Sequence, residues 1–209
     1  MNNNFSISND ILTISYYIKK NNWKDVSKTN YQRILYFSTV LAPIFVPDYK
    51  WTYYFSNTIF GPYNSEISDT LKVLSTKNFI SITERNISSN RVYENYLITV
   101  TGEKFVENVL LKVEHEKQKY YWFNTIVKVL SIYGSEFLVK LVKSDPNINA
   151  QNKVYQKSKI YSDNSDKNLS KEFFVFLKDR GLSTHTSSSD EDYLLIFFDV
   201  LYRKYKGGL

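Results

Sequence analysis

At 209 residues and 24.7 kDa the chain has room for one ordinary domain or a domain with a small appendage, and 43% hydrophobic with 23% charged residues excludes wholesale disorder. Zero cysteines exclude disulfide frameworks, thiolate metal centres and thiol nucleophiles, and two histidines leave little for a histidine-based metal site or relay. The net charge of +6 is spread evenly, with ten Lys/Arg against seven Asp/Glu in residues 1–100 and seventeen against fourteen in 101–209, so there is no basic tail for strong non-specific DNA binding.

In chain order, a first helix is predicted over 8–19, with Ile11, Leu12, Ser15 and Ile18 on one face and Asp10 near its start, as the helix dipole prefers. Asn21 and Asn22 break it. A second helix over 29–41 carries Tyr31, Ile34, Leu35, Ser38 and Leu41 at helical spacing and stops at Pro43 and Pro47. Residues 51–60 are aromatic and β-branched, a short strand or an extended approach to a turn at Gly61-Pro62-Tyr63. Asn64 or Ser65 then caps a helix over 65–77 with the stripe Ile67, Leu71 and Leu74, and Asn78 supplies a left-handed stop. Strands over 79–84 and 91–98, joined by the polar stretch 85–90, form a β-hairpin. Helices follow over 99–116, 120–132 (breaking at Gly134) and 135–143 (ending at Asp145-Pro146). Residues 147–168 read as a polar, flexible connection, and two helices, 170–180 and 189–206, close the chain. The fold class is mainly α with a small β-hairpin (α+β). Three segments are expected: a core over 1–146, a linker over 147–168 and a helical pair over 169–209.

The order helix, helix, short strand, Gly-Pro-Tyr turn, amphipathic helix, hairpin, helix is that of a winged helix-turn-helix. Gly61, Pro62 and Tyr63 mark the turn. Thr99 is placed to accept from free donors at the next helix start, and Gly102 permits close packing in its first turn. Ile34-Leu35-Tyr36, Phe60-Gly61-Pro62-Tyr63-Asn64-Ser65 and the run from Tyr96 through Gly102 resemble an uncharacterised bacterial winged-helix group, over about residues 28–145. With its two-helix C-terminal extension the chain is also similar in size and layout to the small middle components of ABC-three-component and Lamassu-type antiphage systems. That resemblance implies an adaptor accompanying an SMC-like or ABC-type ATPase and an effector subunit.

Site candidates follow from the residues themselves. The 65–77 helix offers Lys72 and Lys77 to DNA, but Glu66 and Asp69 in its first turns disfavour phosphate contact and sequence-specific reading. Arg85 and Arg91 on the hairpin are either minor-groove or phosphate contacts or an ordinary polar loop beside Glu84 and Glu94. The last helix, with Tyr193, Leu194, Phe197, Phe198 and Leu201, is apolar nearly all round, so it packs on its own domain or docks into a partner. Tyr120, Tyr121, Trp122 and Phe123 are consecutive and cannot share one face; Tyr121 and Trp122 are candidates for an interface. His115 between Glu114 and Glu116 reads as a solvated helix, His185 as part of a polar loop, and Asp190-Glu191-Asp192 as acids at a helix start. No Walker or dinucleotide glycine motif occurs, and no cofactor, metal or catalytic residue is assigned. Residues 1–10 lack the pattern of a signal peptide, and the longest uncharged apolar stretch, 34–47, is too short to span a bilayer, so a cytoplasmic location without membrane association is expected. The function expected is a non-catalytic adaptor bridging protein partners, with DNA contact that is not sequence-specific; the alternative is a winged-helix DNA-binding regulator.

Overall fold

A computed structural model describes residues 3–24, 26–88, 91–151, 158–181 and 189–207. It is mainly helical, an α+β arrangement with two small sheets. Among the described residues no helix is long and apolar enough to cross a membrane.

Helix α1 (Asn3–Lys20) begins earlier than its periodicity suggested, which puts Asp10 in mid-helix and wholly buried rather than at a dipole-favoured end. Ile7, Ile11, Ile14 and Ile18 form its buried stripe. The helix closes with Asn22 at φ 52° and the bond from Trp23 N–H to the Ile18 carbonyl, a left-handed stop made by asparagine in place of glycine. Helix α2 (Lys28–Val40) starts at Ser27, whose side chain accepts from Asn30 N–H, and is buried on nearly every side as the central helix. The short α3 (Ala42–Phe45) follows.

Residues 53–58 alternate strictly, with Tyr53, Phe55 and Asn57 inward and Tyr54, Ser56 and Thr58 outward, although only Ser56–Thr58 pairs as strand β1. Gly61 takes φ +101°, a conformation that favours glycine, but Pro62 and Tyr63 are not turn residues: Gly61–Tyr63 is strand β2, antiparallel to β1. Helix α4 (Ser65–Thr76) is capped by Asn64, whose Oδ1 accepts from Glu66 and Ile67 N–H, and buries Ile67, Leu71 and Leu74. It ends with Asn78 at φ 59° and the paired bonds Asn78 N–H to Ser75 O and Phe79 N–H to Leu74 O, so asparagine again serves where glycine is usual.

Strands β3 (Ile80–Ser88) and β4 (Arg91–Ile98) pair antiparallel with a bulge near Thr83. Most of the stretch expected as a polar loop therefore belongs to a long ribbon; residues 89 and 90 lie outside the described residues. Helix α5 (Val100–Asn108) is shorter than the predicted 99–116, and two 3-10 turns, Leu110–Lys112 and Glu114–Glu116, complete that stretch. Helix α6 (Lys117–Ser144) joins the two helices expected on either side of Gly134, which bends it at φ 73°.

The expected flexible connection is largely built into the fold. It holds α7 (Pro146–Gln151) and strand β5 (Ser158–Lys159), which pairs with β1 to give the sheet β2–β1–β5. Asn147, Ile148, Ile160 and Asn168 are buried, and Asn168 donates to the Val40 carbonyl at the end of α2. Residues 152–157 lie outside the described residues. Helices α8 (Leu169–Gly181) and α9 (Asp190–Gly207) share one continuous core with the rest: Phe198 meets Phe37 of α2 and Tyr133 of α6, and Phe197 meets Phe174 of α8.

Candidate functional site

Burial removes most of the predicted interface. Leu194, Phe197, Phe198 and Leu201 are 0–1% exposed, because a helix apolar nearly all round lies in a trough between α6 and α8. Tyr193 is half-buried with the Lys178 ammonium 5.1 Å from its ring centre. Trp122 is also core: its ring stacks on Phe45 at 4.4 Å and its Nε1–H donates to the Ser38 carbonyl at 2.8 Å. Of the predicted interface residues, Tyr121 alone is largely exposed.

Among the described residues, the candidate DNA contacts Lys72, Lys77 and Arg85 do not form a basic surface. Lys72 is paired with Asp69 at 3.3 Å, and Lys77 stands at the exposed end of α4. Arg85 gives both Nε and Nη2 to Glu94 Oε1, at 3.0 and 2.8 Å, and the Tyr96 hydroxyl donates to Glu94 Oε2; the Tyr96 bond first, and then Arg85, hold the Glu94 carboxylate below its ordinary range. The side chain of Arg91 lies outside the described residues. Thr99 and Gly102 hold the positions their types predicted: Thr99 Oγ1 accepts from Gly102 N–H at 3.1 Å and donates to the Asn78 carbonyl, and a Cβ at Gly102 would lie 2.3 Å from the Phe79 carbonyl oxygen. His115 is exposed and His185 lies outside the described residues. The acids at the start of α9 have local work: Asp192 and Ser189 bond reciprocally, and Glu191 pairs with Lys128 at 2.7 Å. Among the described residues no His, Cys, Asp and Glu group is arranged to hold a metal.

Two buried ionic sites bind elements together. Lys119 on α6, 3% exposed, reaches Asp10 of α1 at 2.9 Å, Glu116, and the Tyr49 hydroxyl at 2.9 Å, while Tyr53 donates to Asp10 at 3.1 Å. Burial pushes Asp10 up to about 6 despite the adjacent ammonium. Burial also pulls Lys119 down, but Asp10, Tyr49 and Glu116 outweigh it and hold the ammonium well above its ordinary value. Asp145, at the junction of α6 and α7, has no such cation among the described residues. It accepts from the Tyr36 hydroxyl at 2.6 Å, the Ser170 hydroxyl at 2.7 Å and Asn147 N–H at 3.0 Å, and burial pushes it to about 6.

A cleft of about 870 Å³ lies between the N-terminal half of α2, the β1–β2 hairpin, β4 and the C-terminal half of α6. Its polar wall presents Lys28, Thr29 and Arg33 from α2, Asn57 and Thr58 from β1, Tyr93 from β4 and Lys143 from α6. Its apolar wall is Val139, Val142 and Ile148, and Ile59, Phe60 and Gly61 form the lip. Among the described residues no acidic side chain lines it. The small hairpin has a distinct outer side: Tyr54 and Tyr63 are 53% and 40% exposed, and the tip residue Ile59 is 92% exposed.

Apart from Gly61, sequence reasoning passed over this cleft. One signal was present: Arg33 is the only charge between Lys28 and Asp48, an isolated cation within a helix that is otherwise uncharged after its first residue and largely buried. No family model matches the chain, and no curated protein similar to it is found.

Proposed function

We propose that this chain is a non-catalytic adaptor subunit, built on a winged-helix core in which α2 and α4 form the helix-turn-helix and β3–β4 the wing. The element order and the capping of α4 and α5 support the winged-helix reading. By its resemblance to the middle components of antiphage assemblies, its partners are an SMC-like or ABC-type ATPase and an effector subunit.

The observation that carries the reading is the outer side of the β1–β2 hairpin. Tyr54, Tyr63 and Ile59 expose apolar surface on a small, hydrogen-bonded platform whose inner side, Tyr53, Phe55 and Pro62, is anchored in the core. Partner surfaces draw most of their binding energy from a few aromatic or aliphatic anchors held on rigid elements. This face takes the place of the buried α9 as the docking surface. The exposed face of α4 supports protein docking over DNA reading, since Glu66 and Asp69 balance Lys72 and Lys77 there.

Co-expression with the products of the adjacent reading frames tests the proposal. The wild-type chain should co-elute with an ATPase or effector partner, and Tyr54→Asp with Tyr63→Asp should abolish co-elution while leaving the melting temperature nearly unchanged. Retained co-elution would overturn the assignment of the docking face. A sequence-selective DNA complex weakened by Lys72→Ala and Lys77→Ala would replace the adaptor with a regulator.

A further inference from the structure

The cleft beside α2 has a charge pattern that the docking face does not explain. Lys28, Arg33 and Lys143 converge on it from two helices, and among the described residues no carboxylate lies in its walls. Glu94, which feels Lys28, lies outside the lining and is already held by Arg85 and Tyr96. Gathering cations in a partly desolvated cleft is unfavourable until an anion enters it.

Arg33 is the central group. Its guanidinium is largely buried, which pulls it down to about 10 and leaves it charged at neutral pH. It donates through Nη1 to Asn30 Oδ1 at 2.8 Å, and among the described residues no carboxylate pairs with it. Its Nε is buried without a hydrogen-bond partner, and so is Oδ1 of Asn57, an 8% exposed residue that also lines the cleft. A buried donor and a buried acceptor left unpaired in one cleft are the two groups a polar ligand, with small side-chain shifts, would satisfy.

The remaining surface is apolar and aromatic: Val139 and Val142 on one wall, and the Tyr93 ring, 52% exposed, at the mouth. A lone carboxylate would engage Arg33 but leave two lysines, the ring and the apolar wall unused. A group bearing several negative oxygens on one end and a flat ring with hydrogen-bonding edges on the other uses all of them. The volume of about 870 Å³ falls within the range of small-molecule sites, about 300–1,000 Å³.

We propose that this cleft binds a nucleotide. Its phosphates sit on the Arg33 fork with Lys28 and Lys143, its base lies between the Val139–Val142 wall and the Tyr93 ring, and the Asn57 amide reads the base edge. The same chemical unit comes as a free nucleotide or as the end of a single strand. Ile59 belongs to both the cleft lip and the docking face, but neither source depends on the adaptor reading, because the docking anchors Tyr54 and Tyr63 stand outside the cleft lining.

Calorimetric titration of the full chain with ATP, CTP, inorganic phosphate, an eight-base oligothymidylate and a polyglutamate peptide tests the assignment. At least one nucleotide or the oligonucleotide should bind. Arg33→Gln should weaken that binding about tenfold or more, with Arg33→Lys failing to restore it because the fork is lost. Lys143→Gln, on an exposed side chain, should weaken it about threefold, and it keeps the test decisive if Arg33→Gln does not fold. Tighter binding of a free nucleotide identifies that source; tighter binding of the oligonucleotide, falling steeply with salt, identifies the strand. No binding, affinity indifferent to both variants, or phosphate or polyglutamate binding as tightly as the nucleotides would overturn the proposal. The Tyr54→Asp, Tyr63→Asp variant should bind nucleotide normally and Lys143→Gln should still co-elute with the protein partner, so the two assignments fail separately.

Discussion

Asp145 shows how a single residue couples pH to folding. Its carboxyl is wholly buried among two hydroxyls and a backbone N–H, with no cation beside it among the described residues, and it keeps its proton up to about 6 against an ordinary value of 3.8. Between those two values the folded chain binds more protons than the unfolded one. The stability linked to Asp145 is therefore fully present below the ordinary value and is lost as pH rises to about 6. Asp145→Asn removes that dependence while keeping an acceptor for Tyr36. Thermal melts between about pH 4 and 7 should show the destabilisation by Asp145→Asn shrinking as pH rises; a penalty independent of pH would refute the assignment. Sequence inspection could find Asp145 only as the residue before Pro146, because its partners Tyr36 and Ser170 lie 109 and 25 positions away. Asp10 was misread for a similar reason: an acid near a helix start looks like dipole complementation until Lys119 is seen across from it.

Among the elements, those governed by neighbours three or four residues away were legible. Ile67, Leu71 and Leu74 face the core as their spacing predicted, and Asn64, Asn78 and Thr99 make the caps their types suggest. Composition misled where polar residues are buried by hydrogen bonding. The stretch 147–168 looked solvated because it is rich in Asn, Ser and Asp, yet Asn147 and Asn168 bond to each other and Asn168 reaches α2. Helix α9 was correctly read as buried on more than one side, but periodicity does not say whether the cover is its own chain. The cover is α2, α6 and α8, so Phe198→Ala should cost about 3–5 kcal/mol, as an aromatic-sized void between Phe37 and Tyr133 would. Tyr121→Ala, on an exposed side chain of the neighbouring helix, should stay within about 0.5 kcal/mol. Urea denaturation compares the two; equal costs would place α9 outside the core.

For the whole molecule the consequence is cooperativity. One hydrophobic core runs from Ile7 of α1 to Leu201 of α9, and the Asp145 and Asn168 networks tie α2, α7 and α8 across it. A chain ending at residue 168 would uncover Phe37, Phe45 and Tyr133 and take Ser170 from Asp145. It should therefore lack a sharp unfolding transition in calorimetry. A truncated chain that melted like the full one would show that α8 and α9 are an independent appendage, as the polar connection first suggested.

The sequence by itself determined most of the helical segments, the β3–β4 hairpin, the caps of α4 and α5 and the α+β class, because such features depend on residue type and on spacing within one or two turns. Tertiary structure alone decided which aromatic residues became core, leaving Tyr54 and Tyr63 outside and taking Trp122, Phe197 and Phe198 inside. It also assembled the cationic cleft from residues 28–33, 57–61, 93 and 139–148, which no local pattern groups together. The physical reason is desolvation: whether a ring or a charge meets water depends on what folds over it, and here the covering residues come from distant parts of the chain.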